Sequence, residues 1–116
     1  MFMKASRQNR WDNADTRALF EAVLGLNNAG EARRFLRDLL TEAELVEFGK
    51  RWRAARMLAQ KESYAKIIKT TSLSSTTVAR VQKWLTRGLG GYRLALKRQG
   101  LNNHHRAKTA LGNGLR

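Results

Sequence analysis

Residues 72–85, SLSSTTVARVQKWL, combine a cluster of hydroxyl side chains with one arginine and contain no acidic residue. Hydroxyl groups donate and accept hydrogen bonds, and a guanidinium donates several in a fixed planar arrangement. Such groups bind phosphates and the edges of bases, where a carboxylate would be repelled. The stretch therefore has the chemistry of a surface that binds a polyanion.

The charge is distributed unevenly along the 116 residues. Residues 1–62 contain 12 Lys/Arg and all 9 Asp/Glu, whereas residues 63–116 contain 11 Lys/Arg and no acid. The net charge of the whole chain is +14. A region without acids repels itself unless a polyanion neutralises it. We therefore expect nucleic acid as the partner. A membrane surface is disfavoured because the basic half has Ser/Thr clusters instead of a broad apolar face.

Catalytic and metal-binding chemistry has little support in the composition. The chain has no cysteine, which excludes disulfides and thiolate metal sites and is typical of a reducing compartment. Its two histidines, His104 and His105, are adjacent in a polar segment, and the acids lack metal-ligand spacing. No apolar run approaches the ~20 residues of a membrane span. We expect a cytoplasmic protein that is not an enzyme, holds no metal and spans no membrane.

Helices must position the hydroxyl-rich face, because the chain has no proline and almost no alternating β-branched runs. This pattern predicts an all-α fold. A first helix is expected after a cap at Asp12 or Asp15, and a second over EARRFLRDLL. A capping box in TEAE, residues 41–44, separates the second helix from the third. The third helix carries an apolar stripe, expected to lie in a core or a dimer interface, that comprises Leu45, Phe48, Trp52, Ala55 and Leu58.

Two short helices joined by a tight turn are expected over about 63–86, the layout of a helix-turn-helix. Ser74 is placed to cap the second helix, and Ser72 stands where such turns usually have glycine, so we expect a strained backbone there. The apolar residues expected to join the two helices are Ile67, Ile68, Leu73, Val78, Val81 and Leu85. The predicted DNA-binding residues are Tyr64, Ser74, Ser75, Thr76, Thr77, Ala79, Arg80 and Lys83. Glycines 88, 90 and 91 then mark a break before a last helix led by Tyr92.

The domain organisation follows from these patterns. We expect a basic N-terminal tail over 1–10, one helical domain over 11–99 and a basic, disordered C-terminal tail over 100–116. The tails are expected to add non-specific affinity that salt removes.

The stretch Leu39–Leu85, LLTEAELVEFGKRWRAARMLAQKESYAKIIKTTSLSSTTVARVQKWL, resembles the tryptophan-repressor (Trp repressor) superfamily. STTVARV followed by GGYRLAL is most similar to its YerC/YecD branch. The resemblance implies a six-helix fold and an intertwined homodimer in which the N-terminal helices of two chains interlock. It also implies that two helix-turn-helix heads bind double-stranded DNA with sequence specificity, so that the protein regulates transcription, as a repressor.

The same resemblance bears on a small effector. In the tryptophan-binding members two arginines sandwich the indole, and their matches here are Arg51 and Arg80, with Leu40 and Thr41 near the ligand. Val81 stands where those members have a small residue, and Trp84 replaces a hydroxyl. Because Val81 adds bulk beside Arg80, we predict no cofactor and no strong co-repression by L-tryptophan. Another small effector stays an alternative.

Two other functions are compatible with a polycationic chain. One is an RNA-associated or ribosome-associated basic protein, although RNA-binding surfaces generally display aromatic side chains for stacking and this face shows hydroxyls. The other is the DNA-binding module of a transposase-type system, whose catalytic domain would lie on another chain. Duplex DNA that outcompetes single-stranded RNA would separate regulation from the first of these.

Overall fold

The computed structural model describes residues 10–100, in which all regular secondary structure is helical. The helices in this range are α1 (Ala14–Leu24), α2 (Ala29–Leu39), α3 (Glu42–Ala59), α4 (Tyr64–Thr71), α5 (Ser75–Arg87) and α6 (Gly91–Arg98). The prediction of an all-α fold is thereby confirmed for this part of the chain. Nearly all of both predicted tails, and His104 with His105, lie outside the described residues.

The chain divides into two compact units, Met1–Glu42 and Ala43–Arg116. The boundary coincides with the start of α3, close to the junction that the sequence places at TEAE. The single helical domain expected over 11–99 stays a prediction.

In the first unit, α1 is capped by Asn13 and not by Asp12 or Asp15. The side-chain oxygen of Asn13 accepts a hydrogen bond from the backbone N–H of Thr16 at 3.0 Å, and the Thr16 hydroxyl accepts one from the backbone N–H of Asn13 at 2.9 Å. This reciprocal pair is a capping box. Asp12 instead forms an ion pair with Arg17 at 2.9 Å, and Asp15 lies in the first turn of the helix. The predicted cap was therefore wrong by one or two residues.

The helix α2 also begins at an asparagine. Asn28 accepts a hydrogen bond from the backbone N–H of Glu31 at 2.9 Å, and the Glu31 carboxylate accepts one from the backbone N–H of Asn27 at 2.9 Å. Neither α1 nor α2 contains a buried residue. Large exposed apolar side chains of this unit are Trp11, Phe20, Val23, Leu24 and Leu39. The single chain therefore leaves much of the apolar surface of α1 and α2 uncovered.

In the second unit, α3 ends in a turn that holds a lysine in a backbone conformation favoured by glycine. Lys61 has φ 66°. Its N–H donates to the carbonyl of Leu58 at 2.9 Å, while the N–H of Glu62 donates to the carbonyl of Met57 at 3.0 Å. These two bonds are those of a Schellman motif, which stops the helix and redirects the chain into α4.

The hydrophobic core lies in this second unit, where α4 packs on α5 and α5 packs on α6. Its buried members, drawn from α3, α4, the turn and α5, are Ala54, Ala55, Leu58, Ile67, Leu73, Val78 and Val81. Ile68 and Leu85 pack against this cluster, so the contacts predicted between the two short helices are confirmed. In addition, Trp52 stacks on Tyr92 with ring centroids 6.4 Å apart and planes inclined by 15°.

Among the helices of residues 10–100, none is both long and apolar enough to cross a membrane.

Candidate nucleic-acid interface

The turn between α4 and α5 is held by a strained serine and a buried threonine. Ser72 has φ 65° and ψ 17°, the left-handed conformation that favours glycine. The strained backbone that the sequence predicts at this serine is thereby confirmed. Its N–H donates to the carbonyl of Ile68 at 2.8 Å. The hydroxyl of Thr71, buried in the core, donates to the carbonyl of Ile67 at 2.7 Å and accepts from the N–H of Leu73 at 3.2 Å. These bonds fix the chain path that leads into α5.

The start of α5 is fixed by Ser74, as the sequence predicts. Its hydroxyl oxygen accepts a hydrogen bond from the backbone N–H of Thr77 at 3.1 Å, and the hydroxyls of Ser74 and Thr77 lie 3.0 Å apart. An N-cap of this kind satisfies one of the free N–H groups at a helix start. Two of the eight predicted DNA-binding residues therefore already have a structural role in orienting α5.

The remaining predicted residues of α5 all lie on its exposed face. Ser75, Thr76, Ala79, Arg80 and Lys83 are exposed, while Val78 and Val81 on the opposite face are fully buried. A helix with one apolar face against the core presents its other face to solvent. The structure thus brings these five residues together on one surface.

A further cation shares this surface. Thr76, Arg80, Lys83 and Arg87 follow one another at intervals of four, three and four residues, which aligns them along one side of a helix. We call these four residues the basic stripe. All four are exposed, and within residues 10–100 none of its three cations forms an ion pair. Arg87 is not among the residues predicted from the sequence, although the same periodicity continued by one turn beyond Lys83 reaches it.

Tyr64 belongs to α4 and not to α5. It is the first residue of α4, follows the N-cap Ser63 and is exposed. The Ser63 hydroxyl accepts a hydrogen bond from the backbone N–H of Lys66 at 3.1 Å, and the Lys66 ammonium lies 3.1 Å from the carboxylate of Glu62. Of the predicted binding residues, Tyr64 alone lies on the first helix of the motif.

The residues that the resemblance assigns to an effector pocket fall in both units of the chain. Leu40 and Thr41 belong to the first unit, and the other residues, namely Arg51, Arg80, Val81 and Trp84, belong to the second. Val81 is 0% exposed and is a core residue, whereas Trp84 is 44% exposed. The pocket stays a prediction.

Arg51 is engaged within its own helix. Its Nε lies 3.3 Å from the carboxylate of Glu47, and its guanidinium lies 5.6 Å from the centre of the Phe48 ring.

Burial raises the pKa of the Tyr92 hydroxyl above its ordinary value of 10.0, and the positive charge of Arg51 opposes this rise. Tyr92 is therefore neutral at physiological pH, in keeping with its stacking on Trp52.

Residues 10–100 contain no group of three or more His, Cys, Asp and Glu side chains that could hold a metal ion.

The fold and this surface together define an all-α protein with a helix-turn-helix, α4 to α5, whose second helix presents an acid-free face. The chain belongs to the Trp repressor protein family, whose model matches residues 14–100. It is 38% identical over 80 residues to the uncharacterized protein YerC of Bacillus subtilis (strain 168), covering 69% of this chain and 77% of YerC. The resemblance seen in the sequence is thereby confirmed.

Two solved structures share the fold. A TrpR like protein from Eubacterium eligens ATCC 27750 superimposes with a TM-score of 0.76 at 30% identity, over 82% of this chain and 98% of that chain. A candidate Trp repressor from Staphylococcus aureus gives a TM-score of 0.74 at 32% identity, over 79% of this chain and 92% of that chain.

Proposed function

We propose that this protein is a sequence-specific regulator of transcription that inserts α5 into the major groove of double-stranded DNA. The observation that carries the proposal is the exposed face of α5, where short side chains and unpaired cations lie together without an acid. The same helix buries Val78 and Val81 on its other side, so this face is the one that α5 presents to a partner.

The chemistry of the face suits a groove. Ser75, Thr76 and Ala79 are short, which lets the helix backbone approach the base edges closely, and their hydroxyl and methyl groups can contact bases or phosphates. Arg80 can donate two parallel hydrogen bonds to a guanine or bind a phosphate. In a helix-turn-helix the N-terminal residues of the second helix contact the bases. The cap at Ser74 and the turn at Thr71 and Ser72 would hold that end in place.

We also propose that the protein acts as a homodimer. Leu39 is 48% exposed and Phe48 is 45% exposed, which a second copy of the chain would cover. We expect the interface to include Phe35, Leu39, Leu45, Phe48 and Trp52, although Trp52 already stacks on Tyr92 within its own chain. Two heads would then meet half-sites one DNA turn apart, roughly 34 Å. Repression and a cytoplasmic location belong to the same proposal, the first resting on the family and the second on the absence of cysteine.

Substitution of Arg80 tests the mode of binding. We expect Arg80→Ala to weaken binding to a preferred duplex by about 1 to 3 kcal/mol for each subunit and to relax the preference for that duplex over a scrambled one, because each subunit loses one base contact. Fluorescence anisotropy with both duplexes measures the two effects. An equal loss of affinity for both duplexes would mean that Arg80 contacts a phosphate and not a base. Unchanged affinity for both duplexes would contradict the assignment of Arg80 to the interface.

RNA binding remains a second candidate because of Trp84. Hydroxyls are expected on the exposed face from the sequence, yet Trp84, one helical turn after Arg80, is 44% exposed. Exposed aromatic rings stack on unpaired bases. Competition between a labelled duplex and single-stranded RNA separates the two functions. If the protein is a DNA-binding regulator, it should bind the duplex more tightly than the RNA. Tighter binding to RNA that Trp84→Ala abolishes would favour the RNA-binding function instead.

A further inference from the structure

The basic stripe is longer than the major groove is deep. Thr76 and Arg87 are eleven residues apart on one continuous helix, which corresponds to roughly 16 Å at about 1.5 Å of rise per residue. The major groove of B-DNA is about 8.5 Å deep. If α5 contacts the bases with its N-terminal end, its last turn lies outside the groove, beside the phosphates that border it.

The structure fixes the position of Arg87 at that far end. Arg87 is the last residue of α5, and the N–H of the following Gly88 donates to the carbonyl of Trp84 at 2.9 Å. A Cβ atom at position 88 would lie 2.5 Å from that carbonyl oxygen, so the chain turns too closely there for any larger residue. The helix therefore ends at Arg87, and the guanidinium lies at the boundary of the stripe.

The charge at this end is not compensated within the protein. Arg87 is exposed and forms no ion pair in the described part of the chain, and residues 63–116 contain no acid at all. A guanidinium binds phosphate oxygens in a planar, paired geometry. The distance along α5 and the uncompensated charge of Arg87 therefore both favour a phosphate of the DNA backbone as its partner.

We propose that Arg87 is a DNA-binding residue that contacts a backbone phosphate at the edge of the major groove, and that α5 is divided into a base-contacting end and a phosphate-contacting end. The proposal rests on the proposed function, since it needs duplex DNA as the partner. It adds a residue that neither the binding face predicted from the sequence nor the family resemblance includes. Contacts to phosphate position a protein on DNA without selecting sequence.

The test compares Arg87→Ala with the wild-type protein on a preferred and on a scrambled duplex over a series of KCl concentrations. We expect the affinity of the dimer to fall by the same factor on both duplexes, on the order of fivefold for each subunit at low salt, as for one exposed charge pair per subunit. The slope of log affinity against log salt should become shallower by about 1.8, because each of the two subunits loses one phosphate contact with a value of about 0.9. Arg87→Lys should retain most of the slope, because the charge remains.

Arg98→Ala is the matched control, since Arg98 is an exposed arginine of the same unit, ends α6 and lies off the basic stripe. It removes one positive charge and should change the slope less than Arg87→Ala. Equal effects of the two substitutions, an unchanged slope for Arg87→Ala, or a changed ratio between the two duplexes would each overturn the proposal. Failure of the wild-type protein to bind any duplex would instead refute the proposed function itself. Circular dichroism of each variant verifies that the helices are intact.

Discussion

At the scale of single residues, Ser72 stores strain in the turn of the helix-turn-helix. Holding a residue other than glycine in the left-handed conformation costs roughly 1 to 2 kcal/mol. Glycine avoids this cost, but it also loses more conformational entropy on folding, which offsets part of the gain. We therefore expect Ser72→Gly to raise the free energy of unfolding by up to about 1 kcal/mol. Urea denaturation followed by circular dichroism measures the change.

The matched control is Ser72→Ala, which removes the hydroxyl but keeps a Cβ atom in the same strained conformation. It should leave the free energy of unfolding close to that of the wild-type protein. If alanine stabilised as much as glycine does, the gain would not come from the backbone, and the account of this turn would be wrong.

Tyr92 gives a second prediction, on alkaline pH. Burial raises the pKa of Tyr92 in the folded state above 10.0, with the Arg51 charge opposing, so folding favours the neutral phenol. The stabilisation is fully present below the unfolded pKa and is lost as the pH rises through the folded pKa. We expect Tyr92→Phe to decline less in stability than the wild-type protein above pH 10. Tyr64→Phe is the control, because Tyr64 is exposed, and it should decline as the wild type does.

These residues show what local sequence can and cannot predict. The strain at Ser72 was predictable because the turn of a helix-turn-helix usually has glycine at that place. The left-handed Lys61 was not, since lysine has no preference for that conformation and only the two Schellman hydrogen bonds reveal it. Three good cap residues, Asp12, Asn13 and Asp15, lie within four positions at the start of α1, and the choice of Asn13 depends on backbone geometry that the sequence does not show.

At the scale of the element, the N-cap of α5 has both a structural and an electrostatic consequence. Removing the hydroxyl in Ser74→Ala should lower the free energy of unfolding by about 1 kcal/mol, because the N–H of Thr77 loses its partner. Ser74→Asn and Ser74→Asp both restore a capping oxygen and should restore stability. Thermal denaturation of the three variants measures this effect.

The same variants separate folding from binding. Ser74→Asp places a negative charge at the end of α5 that would contact DNA, so its stability should be retained while its affinity for duplex DNA falls well below that of Ser74→Asn. Equal DNA affinity of the aspartate and asparagine variants would mean that this end of α5 does not face the nucleic acid.

Periodicity predicted the helices better than it predicted the site. The spacing of Ile67, Val78 and Val81 was sufficient to place α4 against α5, because apolar side chains at helical intervals must be buried together. The capping role of Ser74 was predictable from its place before the helix, but the engagement of Thr77 was not, because Thr77 looks like Ser75 and Thr76 in sequence and differs in its hydrogen bonds. Arg87 was missed because the predicted face was ended one turn early, at Lys83.

At the scale of the whole molecule, the uncovered apolar side chains predict an obligate homodimer. Leu39 and Phe48 are about half exposed in the single chain, and burying the remaining half of each side chain contributes on the order of 1 kcal/mol, about half the value for full burial. Sedimentation at micromolar concentration should show a dimer, and Leu39→Glu should dissociate or unfold it. Glu21→Gln, an exposed polar change on α1, is the control that should remain dimeric. A folded wild-type monomer would contradict the prediction.

A separate prediction at this scale concerns L-tryptophan as an effector. Val81 is committed to the core, and Arg51 is already engaged with Glu47 and Phe48. We therefore expect L-tryptophan titrated into the protein in a calorimeter to give no micromolar binding, with or without duplex DNA. Binding that also tightens the DNA complex would show that Val81 and Trp84 leave room for a ligand.

The central claim is that two copies of this chain bind duplex DNA through α5. Selection of bound fragments from a random duplex pool, followed by sequencing, tests it most directly because the recovered sites report both specificity and symmetry. We predict a palindromic site whose half-sites are centred about 10 base pairs apart, one turn of DNA. Selection that recovers no shared sequence, or a single half-site without a symmetric partner, would contradict this account.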